Sequence, residues 1–411
     1  EYGNGPVSVL LWSQMHGDES TATMALLDIF NFLRMSGDEF VPLRSRLARD
    51  LTLVFLPMLN PDGAERFQRR NALDIDLNRD AARLVCPESQ LLKRVRDELS
   101  ADWGFNLHDQ SRYYSAGRNP HTASVSFLAP AFNYAKDINP VRDRAMSLIG
   151  LINGVLQEFI PRRVGRYGDA FEPRAFGDNI TRWGTSTILI ESGGLKGDPE
   201  KQQLRRLNFI ALLTAFDAIA SQRYQQIPRD AYWQIPGNNY DAFHDLILRE
   251  VEVERDEQWF KVDVAMRRDE VPYDGYQEYY HRSRVSEMGD LSVYYAYHEF
   301  NGRDYRAVPG RVYQEVVPGP VALARLDPVA LLRQGITDVR VSGVKPRQYA
   351  EGPLRILAPD DRRDDVIDLG TQPSILLQRD GKTAYVVING QIFDLEDEGR
   401  IRESWESQKS K

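Results

Sequence analysis

The chain has 411 residues, 42% hydrophobic and 27% charged, close to the ~25% charged of ordinary soluble globular proteins, which excludes a disordered or fibrous chain. The 52 Lys and Arg against 60 Asp and Glu leave a net charge of −8 with no basic block, so nucleic acid is not the expected partner. No apolar run approaches the ~18 residues of a membrane span, and a lone Cys86 excludes an intramolecular disulfide and a cysteine-based zinc site while leaving the compartment open.

At ~150 residues per domain the length predicts two or three domains. The first half alternates short apolar runs with long amphipathic ones, the pattern of a sheet covered by helices. Strands are expected at 7–12, 52–56, 103–107 and 186–190. Helices are expected at 19–34, where Ala22, Leu26, Ile29, Phe30 and Leu33 recur at helical spacing, and at 88–100, 140–160 and 199–221. The last two open on Asn139-Pro140 and Asp198-Pro199, a capping side chain before a proline at the first helical position. Residues 1–222 read as one α/β domain.

Beyond about residue 225 long helical patterns fade and Pro and Gly recur, so 225–405 reads as a smaller β-rich accessory domain of unassigned role. In it, Asp380-Gly381 and Asn389-Gly390 separate 374–379, 382–388 and 391–395, which predicts a three-stranded meander joined by two-residue turns with φ > 0. Arg402–Lys411 is polar and expected to fray. The chain opens at Glu1 without a Met and reads as trimmed, which leaves room for a signal segment upstream.

Chemistry concentrates where the expected strands end. His16-Gly17-Asp18-Glu19 follows the first strand, and a His and a carboxylate three apart can converge on one metal. His108 follows 103–107, Glu191 follows 186–190, and Asn60-Pro61-Asp62-Gly63 follows 52–56. The carboxyl ends of strands in an open parallel sheet are where ligands bind. His16, Glu19 and His108 would leave a fourth zinc position open, the composition of a catalytic site, and a glutamate such as Glu191 beside it is a natural general base. Arg69-Arg70-Asn71 and Asp76-Leu77-Asn78-Arg79-Asp80 lie between, and arginines near a metal can stabilise an oxyanion or clamp a carboxylate.

In this order, His16-x-x-Glu19, Asn60-Pro61-Asp62-Gly63, Arg69-Arg70-Asn71, Asp76-Leu77-Asn78-Arg79, His108 and Glu191 resemble the zinc carboxypeptidase family, the carboxypeptidase A-like metallopeptidases, over about residues 7–195. The resemblance implies a mixed sheet of about eight strands between helices. It implies one Zn2+ per chain on His16, Glu19 and His108, with Glu191 as catalytic base and acid. Arg69 would polarise the scissile carbonyl, Asn78 and Arg79 would hold the substrate's terminal carboxylate, and Asp76 would orient a zinc histidine through its other ring nitrogen. The activity implied is a metallocarboxypeptidase acting on a peptide or peptide-like substrate with a free carboxylate, exported to the periplasm or beyond. The family's substrate-closing tyrosine has no counterpart by spacing: Tyr167 and Phe171 lie in its region. The chain opens too close to its first strand to hold the family's preceding strands, and the short interval from Glu19 to His108 implies a reduced substrate loop.

Two rival functions keep the metal site: a cell-wall peptide amidase, and a deacylase of small N-acyl amino acids similar to aspartoacylase. A third is a binding protein with a vestigial site, against which the intact ligand set and Glu191 argue. Asp109-Gln110 and Gly177-Asp178-Asn179 fall near the site without an assigned role. His121, His244, His281 and His298 have no ligand-spaced neighbours and read as surface or core histidines.

Overall fold

In the computed structural model, which describes residues 1–238, 240–273, 278–343 and 352–409, Val7–Ser13 forms β1 and is buried from Ser8 onward. Val9 and Leu11 pack with Ile29, Ile149 and Phe216, while Leu10 and Trp12 pack in a second layer with Leu92 and Phe176. A strand covered on both faces reads as a continuous apolar run, which is why this one is conspicuous in the sequence. Contacts divide the chain into two units, Glu1–Ala242 and Phe243–Lys411.

In the first unit β1 is followed by α1 (Thr21–Arg34), α2 (Val41–Asp50), β2 (Leu51–Leu56), α3 (Pro61–Glu65), α4 (Pro87–Leu99), β3 (Trp103–Asp109), β4 (Tyr114–Ser115), β5 (Val125–Leu128) and α5 (Pro140–Phe159). Then come β6 (Val164–Arg166), α6 (Phe176–Arg182), β7 (Ser186–Ser192), α7 (Gln202–Ala220), α8 (Asp230–Trp233) and β8 (Tyr240–Asp241). Six strands pair in the order β2-β1-β3-β7-β5-β6. The first four run parallel, β5 is antiparallel to β7, and β6 is parallel to β5. The mixed sheet stands as expected, with six strands among the described residues where the resemblance implies about eight. Its order puts β1, β3 and β7 side by side at the centre, so their carboxyl ends share one edge.

The sequence patterns missed β5 and β6, whose runs of four and three residues are too short to show a period, and also α6 and α2, the latter burying only Arg44 and Leu47. The Asn139 cap is in place, its side chain accepting from the Arg142 N–H at 2.9 Å. α7 instead begins at Gln202, and Asp198 accepts from the Leu204 N–H at 3.0 Å from outside the helix. Residues 223–241, beyond the expected boundary at 222, belong to this unit because Tyr224, Tyr232 and Ile235 are buried in its core.

The second unit is built on an eight-stranded sheet whose longest strands are Phe243–Arg255, Gln258–Tyr273 and Glu278–Gly289. The expected meander is present as Ile375–Arg379, Lys382–Ile388 and Gln391–Asp394. Its turn residues Asp380, Gly381, Asn389 and Gly390 all have positive φ. The expected frayed tail is instead a helix, Glu398–Lys409, held by buried Ile401 and Trp405; positions 410 and 411 lie outside the described residues. No helix among the described residues is long and apolar enough to cross a membrane.

Candidate metal centre and its cleft

The loop leaving β1 rests on the Asn60-Pro61-Asp62-Gly63 turn. Asn60 caps α3 by accepting from the Gly63 N–H at 2.9 Å, and its side-chain amide donates to the Met15 carbonyl at 3.2 Å. The Leu59 and Asn60 N–H groups donate to the Ser13 and Gln14 carbonyls, each at 3.1 Å. Gly17 lies so close that a Cβ there would fall 1.9 Å from the Gly63 carbonyl carbon. Glycine at 17 is therefore a requirement of close backbone approach, and the turn is the seat of the loop that presents His16.

His16 and Glu19, from that loop, meet His108 from β3, and their ligand atoms all lie within 4.8 Å of one another. Glu19 reaches both imidazoles, Oε1 lying 2.7 Å from His16 Nδ1 and Oε2 2.6 Å from His108 Nδ1. The two Nδ1 atoms are 3.2 Å apart, whereas two nitrogens held tetrahedrally by one zinc at ~2.0–2.1 Å would lie roughly 3.3 Å apart. Both histidines are buried, and His108 Nε2 has no hydrogen-bond partner. The donor set and spacing thus fit a zinc ion. Among the described residues this is the one His/Cys/Asp/Glu group so arranged.

Asp76 settles on His16, its Oδ1 lying 3.2 Å from His16 Nε2. The same oxygen accepts from the Asn78 N–H at 2.9 Å, and Oδ2 accepts from Arg69 Nε at 3.0 Å. Burial alone would raise the Asp76 carboxyl, but His16 and then Arg69 outweigh it and hold it well below the ordinary range. Burial likewise opposes ionisation of Glu19, and the two histidines, His108 foremost, overcome it. Burial pulls His108 down, whereas at His16 the bonds from Asp76 and Glu19 exceed the burial effect and raise it.

Glu191 is the register partner of His108 across the β3–β7 pairing and is only 8% exposed. Burial, reinforced by the negative charges of Glu19 and Asp109, raises its carboxyl well above the usual range. Arg69 approaches the ligand cluster directly, with Nη1 3.1 Å from His16 Nδ1 and 3.6 Å from Glu19 Oε1. Asn78 spends its carbonyl oxygen on the Phe176 N–H at 3.0 Å, and Arg79 lies 3.6 Å from Glu172. His16, Glu19, Arg69, Asn78, Arg79, His108 and Glu191 all line one cavity of about 330 Å3.

The cavity separates the undecided residues. Tyr167 lines it, its hydroxyl pushed up by burial and then by Glu191, whereas Phe171 packs edge-on against Tyr134 with centroids 4.9 Å apart. Asp109, Gln110, Gly177 and Asp178 line it. Asn179 turns away to the Pro173 and Ala175 carbonyls. Asn106, Tyr114 and Glu172 also line it and were missed. Asn106 was accessible to reasoning, since it stands two residues before His108 on one strand and so shares its face.

Residues 2–124 match the family model of the zinc carboxypeptidases. The resemblance is to the zinc carboxypeptidase family. Of the curated proteins, "Probable carboxypeptidase 2" of Arthroderma benhamiae is 26% identical over 133 residues. That match covers 31% of this chain and 24% of the relative, so the chain spans about a quarter of its length. Among solved structures, a metallo-carboxypeptidase from Burkholderia cenocepacia is 17% identical with a TM-score of 0.41, covering 53% of this chain and 58% of that one. A metallo-carboxypeptidase from Pseudomonas aeruginosa in complex with (2-guanidinoethylmercapto)succinic acid is 20% identical with a TM-score of 0.40, covering 53% and 59%. A succinylglutamate desuccinylase/aspartoacylase from Rhodobacter sphaeroides is 18% identical with a TM-score of 0.36, covering 52% and 55%. The matched residues lie within the first unit, and the family model stops before Glu191.

Proposed function

We propose that the chain is a zinc-dependent metallocarboxypeptidase hydrolysing the amide bond next to a free C-terminal carboxylate. The observation that carries the reading is the convergence of His16, Glu19 and His108 in one cavity with Glu191, the cross-strand partner of His108. His16, Glu19 and His108 would hold the ion, with Asp76 fixing the His16 ring. When bound, zinc polarises a carbonyl and lowers the pKa of an attacking water. Glu191, with a carboxyl more basic than a free glutamate's, takes the proton of the attacking water and delivers it to the leaving amine. Arg69 donates to the carbonyl oxygen as negative charge develops. Arg79 offers the planar fork that matches a terminal carboxylate, with Asn78 beside it. Arg79 exchanges Glu172 for the substrate as it does so.

The test combines elemental analysis with hydrolysis of paired peptides that have free and amidated C-termini. About one zinc per chain is expected in the parent and in Glu191→Gln, and none in His108→Ala. Cleavage of the free-ended peptides alone is expected, with turnover about 10²–10⁴-fold lower in Glu191→Gln. A zinc-loaded Glu191→Gln chain that turns over like the parent refutes the mechanism. Hydrolysis of N-acyl amino acids with no peptide cleavage refutes the carboxypeptidase reading in favour of a deacylase.

A further inference from the structure

The second unit holds a cavity of its own that the chemistry of the first does not use. Its floor is one face of the sheet. Val308 and Leu376 are register partners across Arg306–Pro309 and Ile375–Arg379, and two residues further along the same strand Gln378 pairs with Thr383. Gln378 Nε2 donates to the Thr383 hydroxyl at 3.4 Å, which leaves the hydroxyl proton free to donate onward. The space above this floor measures about 500 Å3, within the ~300–1,000 Å3 range of small-ligand sites.

The walls are cationic. Arg311, Arg333 and Lys382 line the cavity and no carboxylate does, although the chain carries a net charge of −8. A cleft lined by one sign of charge concentrates the field and draws in ligands of the other. Arg333 is paired with Glu398 at 2.6 Å, whereas Arg311 and Lys382 form no ion pair among the described residues.

Arg311 is held in place without being neutralised. Its N–H donates to the Gly335 carbonyl at 2.8 Å, and its Nη2 donates to the Gln334 carbonyl. Gln334 caps the helix Pro328–Arg333, so the guanidinium closes a helix end and keeps its full charge. Its Nε and Nη1 make no hydrogen bond among the described residues. Gly335 has φ +75°, and a Cβ there would fall 3.1 Å from Leu376 Cδ1 and 3.6 Å from Arg311 Nε. Glycine at 335 thus keeps the guanidinium open to the apolar floor.

We infer that this cavity binds a small ligand carrying a doubly charged oxyanion on an apolar body, the oxyanion taken between Arg311 and Lys382 and the body laid on Val308 and Leu376. Arg311 supplies a planar fork, Lys382 a point charge and Thr383 a neutral donor, a set that suits a phosphate ester and a dicarboxylate alike. A monoanion would leave one cation unanswered, and an uncharged ligand would leave both. The site is independent of the metal centre and of the peptidase reading.

The test is calorimetry on the full, metal-free chain at low ionic strength, with phenyl phosphate, phthalate and inorganic phosphate as probes. Phenyl phosphate and phthalate share an aromatic body and differ in the source of the charge, so the tighter of the two identifies that source, and either result supports the site. Inorganic phosphate, which lacks the body, should bind about three- to tenfold more weakly than phenyl phosphate. Arg311→Gln and Lys382→Glu should each weaken phenyl phosphate binding about three- to thirtyfold. Lys382 has no partner to lose, so its replacement reads binding rather than folding, and the Tm of each variant checks this. Raising the ionic strength from about 0.01 M to about 0.15 M should weaken binding severalfold, because the screening length falls from about 30 Å to about 8 Å. No binding of either aromatic probe at millimolar concentration, inorganic phosphate bound as tightly as phenyl phosphate, or an affinity unmoved in Lys382→Glu overturns the inference. Binding lost in Arg79→Gln but kept in Lys382→Glu also overturns it, by assigning the probe to the cleft of the first unit.

Discussion

Replacing Asp76 with Ala tests whether the proposed metal centre is held by more than His16, Glu19 and His108. Asp76 contacts His16 Nε2, Arg69 Nε and the Asn78 N–H at 3.2, 3.0 and 2.9 Å. The Arg69 side chain is 44% exposed, so its pairing with Asp76 is screened and contributes ~0–1 kcal/mol. The His16 side chain is 3% exposed, and it loses the contact that sets its ring orientation and tautomer. Loss of such a partner typically weakens metal affinity about 10–100-fold, or about 1.4–2.7 kcal/mol. Competition between the chain and a zinc chelator measures this directly, and Asp76→Asn, which retains an acceptor, should lose less. The sign with pH is also determined. The folded-state carboxyl of Asp76 is depressed, so its contribution is present above the unfolded value of ~3.9 and is lost as pH falls through the folded value. The difference in Tm between the metal-free parent and Asp76→Asn should therefore be full near neutrality and shrink in acid. Zinc affinity unchanged in Asp76→Ala would refute the reasoning.

Gly17→Ala should lower both Tm and zinc affinity, because the obstructing atoms are the Gly63 backbone at 1.9 Å and no side chain can yield. Overpacking of this kind costs ~1–3 kcal/mol, and a melting curve indistinguishable from the parent's would contradict the seat assigned to the Asn60 turn. Asp178 carries the opposite sign to Asp76, since burial raises its carboxyl to about 6. Its neutral form belongs to the folded state, so stability is fully present below the unfolded value of ~3.9 and is lost as pH rises towards 6. Asp178→Asn should gain in Tm over the parent between pH 4 and 7 by the equivalent of at most about 3 kcal/mol; no relative gain across that range would show that the carboxyl is not strained by burial.

Different parts of the molecule were legible for different reasons. Strand β1 announced itself because both its faces are covered, and Asn139-Pro140 marked a helix start because the cap and its N–H partner are three residues apart. The Asp380-Gly381 and Asn389-Gly390 turns were readable because positive φ restricts which residues can stand there. By contrast, the helix at Glu398–Lys409 was hidden, since only packing of Ile401 and Trp405 against residues far away in sequence overrides its polar composition. The first unit ran on to Ala242 for the same reason, through Tyr232 and Ile235.

By itself the sequence determined which side chains the candidate site is made of: His16-x-x-Glu19, a lone His108 and a strand ending in Glu191 are residue types and local spacings, and local spacing is set by the chain itself. The strand order β1-β3-β7 brought His16, Glu19, His108 and Glu191 to one cavity, and the packing of the loops placed Asp76 on His16 and Tyr167 rather than Phe171 in the cleft. Only the tertiary structure decided the charge states. Burial raises the carboxyls of Glu191 and Asp178, with the negative charges of Glu19 and Asp109 adding to the effect at Glu191. Asn106 shows the difference most plainly: in the sequence it is an ordinary residue of a strand, and only tertiary packing leaves its side-chain oxygen buried without a partner.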